Sequence, residues 1–167
     1  MRSTIVILAT VLLFLLKSRS AFAQKYVVAG TAELASGAEG GGDGASVVRR
    51  ARTAMRLGGE VYVDESPKDI ISAAGLVEME PRVMVGADAR YGHKLSERFS
   101  LNAGGIGYFL PRTLFGGTAD ATFRFPLGKE TALQIAPTIN AYFLGNDLPQ
   151  GAVVFQALLR VGIYVKL

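Results

Sequence analysis

From Ala51 to Leu167 the side chains alternate in character with a period of two, and that pattern restricts this part of the chain to strands. Successive residues of a strand point to opposite faces, so a sheet with one apolar and one polar surface is written as alternation. In "AVVFQALLRVGIYVKL" every odd position from Val153 to Leu167 is apolar, while the even ones include Gln156, Arg160, Gly162, Tyr164 and Lys166. The parity recurs upstream. Val83, Val85, Ala87, Ala89 and Tyr91 stand against Arg82, Asp88 and Arg90, and Phe115, Ala119, Ala121, Phe123 and Phe125 stand against Thr118, Asp120, Thr122 and Arg124. Beyond Ala51 the charged residues at odd positions are Glu65, Asp69, Glu97, Lys129 and Asp147, and all five fall in segments that read as turns.

Two architectures use such strands. A soluble sandwich or lipocalin-like barrel packs the apolar face inside, whereas a transmembrane barrel turns it outward to lipid and fills its lumen with the polar face. Three features favour the second. Odd-position aromatics crowd toward strand ends, as with Phe109 and Phe115 or Phe143 and Phe155, in the manner of interfacial girdles. The polar face holds small residues and opposed charges such as Arg56 with Glu60, which suit a narrow interior. The apolar face is mostly Val, Ala, Gly, Ile and Leu, without the large interlocking side chains of a core.

The expected fold is therefore all-β: an antiparallel transmembrane β-barrel of about eight strands, preceded by a signal peptide. The strands are read as Lys25 to Ala35, Arg52 to Asp64, Ile70 to Met79, Arg82 to Tyr91, Arg98 to Phe109, Thr113 to Phe125, Thr131 to Phe143 and Ala152 to Leu167. Parity runs unbroken through Glu78, Glu80 and Arg82, so residues 70 to 91 also admit one long strand interrupted at Pro81, which would leave seven. "SGAEGGGDGAS" reads as a flexible outer loop.

Residues 1 to 23 have the layout of a secretory signal. Arg2 precedes the apolar run Ile5 to Leu16, and Ala21 and Ala23 supply the small residues of a cleavage site. As a helix the run would reach only about 18 Å, short of the roughly 30 Å hydrocarbon core. The expected organisation is a signal peptide at 1–23 and a single barrel domain at 24–167. Removing Arg2, Lys17 and Arg19 lowers the 18 basic residues to 15 against 14 acidic ones, so the net charge falls from +4 to +1. That balance argues against nucleic-acid binding. There is no cysteine, which excludes disulfides, thiolate metal sites and a lipidated cysteine.

The ending Arg160, Gly162, Val165, Leu167 resembles the C-terminal β-signal of bacterial outer-membrane proteins, with Leu where Phe is commonest. The barrel as a whole resembles the small OmpA/OmpX-like class. The resemblance implies an outer-membrane address, recognition of the last strand by the barrel assembly machinery, and closure of that strand on the first so that no edge is left unpaired.

Even parity places Arg52, Arg56, Glu60, Asp88, Arg90, Asp120 and Arg124 in one lumen, where buried charges need partners, so a salt-bridge network is expected there. Arg49 and Arg50 stand where the long outer loop re-enters the barrel; they are candidates for lipopolysaccharide phosphates, the alternative being a solvated rim. His93, the single histidine, lies in "YGHKLSER" beside Ser96 and Glu97, and one turn holding all three is a poor frame for nucleophilic chemistry. The glycines of "GGGDG" and "NAGGIGYF" lack a phosphate-loop lysine and a following helix. The expectation is a non-enzymatic, cofactor-free structural or anchoring component, or one subunit of an envelope machine for motility, secretion or adhesion. Its partners would be outer-membrane lipid, lipopolysaccharide and other envelope proteins. A narrow solute channel, a lipid-modifying enzyme and a soluble periplasmic binding barrel are the competing readings.

Overall fold

Eight strands run in chain order, each hydrogen-bonded to the next and the last to the first, so the sheet closes into an antiparallel barrel. They are β1 (Tyr26–Gly42), β2 (Val48–Val63), β3 (Ser66–Glu80), β4 (Met84–Ser96), β5 (Phe99–Leu110), β6 (Leu114–Pro126), β7 (Thr131–Gly145) and β8 (Val153–Lys166). The computed structural model describes residues 26–42, 48–63, 66–80, 83–146, 148 and 152–167, and only the backbone at 42, 48–50, 63, 66 and 67. The proposed signal segment lies outside the described residues, as do Asp64, Glu65, Arg82 and Asp147.

Three expectations are corrected. The seven-strand alternative is excluded, because β3 ends at Glu80 and β4 begins at Met84 as separate antiparallel neighbours. Ser36 to Gly42, read as loop, belongs to β1, which pairs with β2 as far as Gly41↔Val48 and with β8 as far as Gly42↔Val153. Pairing on both sides satisfies the backbone of this glycine-rich stretch and outweighs its low strand propensity. Asp69, read as a turn residue, lies inside β3 on its outer face, so one charge does cross to the apolar side.

The register fixes the geometry. Following paired positions round the barrel from Gly30 leads through Gly59, Ala73, Ala89, Gly105, Gly117, Ala141 and Phe155 to Gly40, a return to β1 displaced by 40 − 30 = 10 residues. Such a stagger forces the strands to tilt by about 40°. Each residue along a strand is then worth about 2.4 Å of height, and each sideways step about 3 Å.

Polarity is inverted relative to a soluble barrel. Ile71 and Ile139 are 68% and 62% exposed on the outside, while Arg56 and Asp88 are both 4% exposed on the inside. From β2 to β8 even positions face in and odd ones out; on β1 the parity reverses, because register pairs such as Val27↔Tyr62 join odd to even. Inward glycines answer the narrow bore. A Cβ on Gly162 would press on Ala32 O and come 2.6 Å from Glu33 Cα, and one on Gly104 would lie 2.7 Å from Arg90 Cα. Outward glycines differ, since Gly30 and Gly105 have nothing within 4 Å of that position.

Candidate functional site

The interior is filled by charged and polar side chains in three tiers, ordered by the register. The middle tier is a closed ring of alternating charge. Arg56 grips Asp88 with two bonds (Nε to Oδ2, 2.9 Å; Nη2 to Oδ1, 3.0 Å) and Glu33 with a third (Nη1 to Oε2, 2.8 Å). Arg90 joins Asp88 at 2.8 Å and bonds Asp120. Arg160 completes the circuit to Asp120 at 2.8 Å and Glu33 at 3.2 Å. Three guanidinium groups and three carboxylates from β1, β2, β4, β6 and β8 thus meet within about 5 Å of height, near the middle of the barrel. Neutral partners occupy some of the remaining positions: Gln134 donates to Glu33 Oε1 at 2.8 Å, and Asn102 and Thr122 each donate to Asp120 Oδ1 at 2.7 Å, while the buried Nε of Arg90 has no partner. Bonds of this number are what desolvated charges require.

The upper tier places Arg52 between Glu39 at 2.5 Å and Glu78 at 3.2 Å, with Gln156 donating to both carboxylates. Around it, and down toward the level of the ring, lies an apolar cluster of Leu76, Met84, Ile106, Tyr108, Leu114 and Tyr142. The lower tier holds Glu60 against Arg124 Nη2 at 2.6 Å, with the Tyr164 ring 4.4 Å from that guanidinium and the Tyr62 hydroxyl 3.1 Å from that of Tyr164. Paired charges and aromatic bodies therefore occupy the bore in all three tiers.

All seven residues expected in the lumen, Arg52, Arg56, Glu60, Asp88, Arg90, Asp120 and Arg124, lie in these tiers, and the ring joins four of them, Arg56, Asp88, Arg90 and Asp120. Sequence reasoning missed Glu33 and Glu39, whose odd numbers suggest an outward face until the parity reversal of β1 is known. It also left Arg160 out of the lumen network and named it as part of a terminal motif. Here Arg160 belongs to the ring, and Gly162 allows β8 to approach β1. Val165 and Leu167 of that motif lie at the lower end, where Leu167 N donates to Val28 O at 2.9 Å. Arg49 and Arg50 are backbone members of β2 near its upper end, and their side chains lie outside the described residues.

His93 is not in a turn with Ser96 and Glu97. It sits within β4 on the outer wall, opposite Asp69 of β3, and its Nδ1 lies 2.9 Å from Asp69 Oδ1. The Tyr91 hydroxyl donates to the same oxygen at 2.7 Å. Ser96 instead accepts the Arg98 backbone N–H at 3.3 Å in the following turn.

No family model and no curated protein matches the sequence. Among solved structures the barrel is similar to Neisserial surface protein A, with a TM-score of 0.56 and 12% identity over 84% of this chain and 97% of that one. A chain from the de novo design of transmembrane β-barrels aligns with a TM-score of 0.44 and 11% identity, over 82% of this chain and 95% of that one. At such identities the likeness to the Neisserial protein establishes a shared fold, that of an eight-stranded closed barrel.

Proposed function

We propose that this chain is a non-enzymatic barrel of the bacterial outer membrane, a structural or anchoring component whose lumen is sealed. The observation that carries the reading is the inside-out distribution of polarity together with its height. On the tilted wall, Phe109, Phe115, Phe143 and Phe155 fall within about 3 Å of one level, and Phe99, Phe123 and Phe125 within about 5 Å of a second, about 23 Å lower. That separation matches the roughly 25 Å apolar band and paired aromatic girdles of a membrane barrel. In water the same wall would present a continuous apolar surface far beyond the few hundred Å² a soluble monomer tolerates.

Within this reading residues 1–23 direct export and the end bearing Tyr26 and Leu167 faces the periplasm. The last strand carries the assembly signal. Arg49 and Arg50, near the opposite end, bind lipopolysaccharide phosphate; replacing both by Gln weakens its co-purification, and unchanged co-purification removes that role. Contacts with other envelope proteins fall to the connections between strands.

Fractionation followed by electrophoresis with and without boiling tests the core of the proposal. The protein is expected in the outer-membrane fraction, with a mobility that changes on heating. Recovery in the soluble fraction after washing overturns it.

A further inference from the structure

We infer that the outer wall carries a binding site for one phospholipid with a primary ammonium headgroup, a proposal that rests on the membrane-spanning reading above. Two observations meet at one place. The first is a depression of about 880 Å³ on the outside of the barrel, reaching from Tyr91 and His93 on β4 across β5, β6 and β7 to Ala157 on β8 and Ser36 on β1. The register explains its shape. Two adjacent outer rows, His93–Leu101–Ala121–Pro137–Leu159 and Tyr91–Ala103–Ala119–Ile139–Ala157, hold small residues along their middle, at Ala103, Ala119 and Ala121, and again at Ala157. The row beneath them is bulky, with Phe99 stacked on Phe123 at 4.8 Å and continuing to Ile135 and Val161.

Because the rows follow the hydrogen-bond ladder of a tilted sheet, the depression climbs as it crosses the wall. It starts at the lower aromatic level beside His93 and gains about 15 Å by Ala157. That is half of the roughly 30 Å hydrocarbon core, the depth one leaflet's acyl chains occupy. Along its upper margin Gly105 and Gly117 face outward with no atom closer than 3.8 Å to a Cβ position, so the barrel's own packing does not demand glycine there. Glycine inside a strand weakens it unless something approaches closely.

The second observation is the polar cluster at the lower end of this furrow. Asp69 is a carboxylate on a lipid-facing wall, with its side chain 55% exposed and that of His93 47% exposed. Tyr91 and His93, which line the depression, both converge on Oδ1 of Asp69, so the anion is held at the mouth of the furrow at the level of the lower girdle. A carboxylate at the mouth of an apolar furrow complements a lipid with a cationic headgroup. The ammonium meets Asp69, and a chain lies along Leu101, Ala121 and Pro137. A primary ammonium donates hydrogen bonds to a carboxylate, whereas a trimethylated one has no donor, and this sets the selectivity.

The test is native mass spectrometry of the folded barrel released from vesicles containing equal phosphatidylethanolamine and phosphatidylcholine. Wild type is expected to retain the ethanolamine lipid about threefold to fivefold over the choline lipid, the scale of a partly exposed charge-assisted contact. Asp69→Asn abolishes the preference, and Tyr91→Phe, which keeps the carboxylate, preserves it. Ala121→Phe fills the furrow and lowers retention of both lipids. Equal retention by wild type, or a preference that survives in Asp69→Asn, overturns the proposal. A heat-dependent gel shift for each variant reports folding separately. Loss of that shift in wild type refutes the membrane reading itself, whereas a normal shift with no lipid preference refutes only this site.

Discussion

Two strand glycines do different work, and the difference is measurable. Gly162 lies where β8 meets β1, and a methyl group there collides with backbone that has no freedom to move. Gly162→Ala is expected to prevent or severely slow closure, seen as loss of the heat-dependent gel shift. Gly117 faces outward with its nearest neighbour 3.8 Å from a Cβ position. Gly117→Ala should fold normally and gain up to about 1 kcal/mol, because it reduces the freedom of the unfolded chain without strain. The residue scale is also where the sequence misleads most. Glu33 has a parity that belongs outside, and Asp69 has one that belongs in lipid, yet the first closes the central ring and the second is held by Tyr91 and His93. Neither placement is readable without knowing which neighbour each strand pairs with.

Elements with strong contrast between their faces were legible, and elements without it were not. On β4, Asp88 and Arg90 alternate with Val85, Ala87 and Ala89, so its two faces are unmistakable in sequence. On β1 the outward side chains after Leu34 are Ser36 and Ala38, and the inward ones include Ala35 and Gly37, so hydropathy gives no alternation and the strand reads as a loop. Only pairing with β2 and β8 defines it. The break between β3 and β4 was equally obscure, because parity continues across it and only antiparallel pairing separates the two strands. For strands that cross a bilayer, the cost of an outward charge depends on depth. Ala89, near mid-height, when changed to Arg should destabilise by about 2–4 kcal/mol, whereas Phe125→Arg at the lower girdle should cost about 0–1 kcal/mol. Urea titrations of the barrel in vesicles measure both, and equal costs would place the bilayer elsewhere on the wall.

At the scale of the whole molecule the ring and its flanking tiers make the barrel a solid post. An eight-stranded barrel is just wide enough for side chains to fill, and here they are paired charges that cannot leave the bore without losing their partners. The intact protein is expected to give no steady conductance in planar bilayers. Removing one opposed pair together, Arg56→Ala with Asp88→Ala, keeps the net charge unchanged and leaves Glu33 with Arg160 and Arg90 with Asp120. That double variant should conduct weakly, and large currents from wild type would restore the channel reading.

The circuit also has a bearing on assembly. Glu33 and Arg160 stand on the first and last strands and touch at 3.2 Å across the join between them. While that join is open, each keeps a charge in an apolar setting with one contact missing, and losing a partner from a buried pair costs about 3–5 kcal/mol. Zipping of the final edge and neutralisation of the interior are therefore a single cooperative event, and a half-shut cylinder is an intermediate that this chain's own electrostatics disfavour.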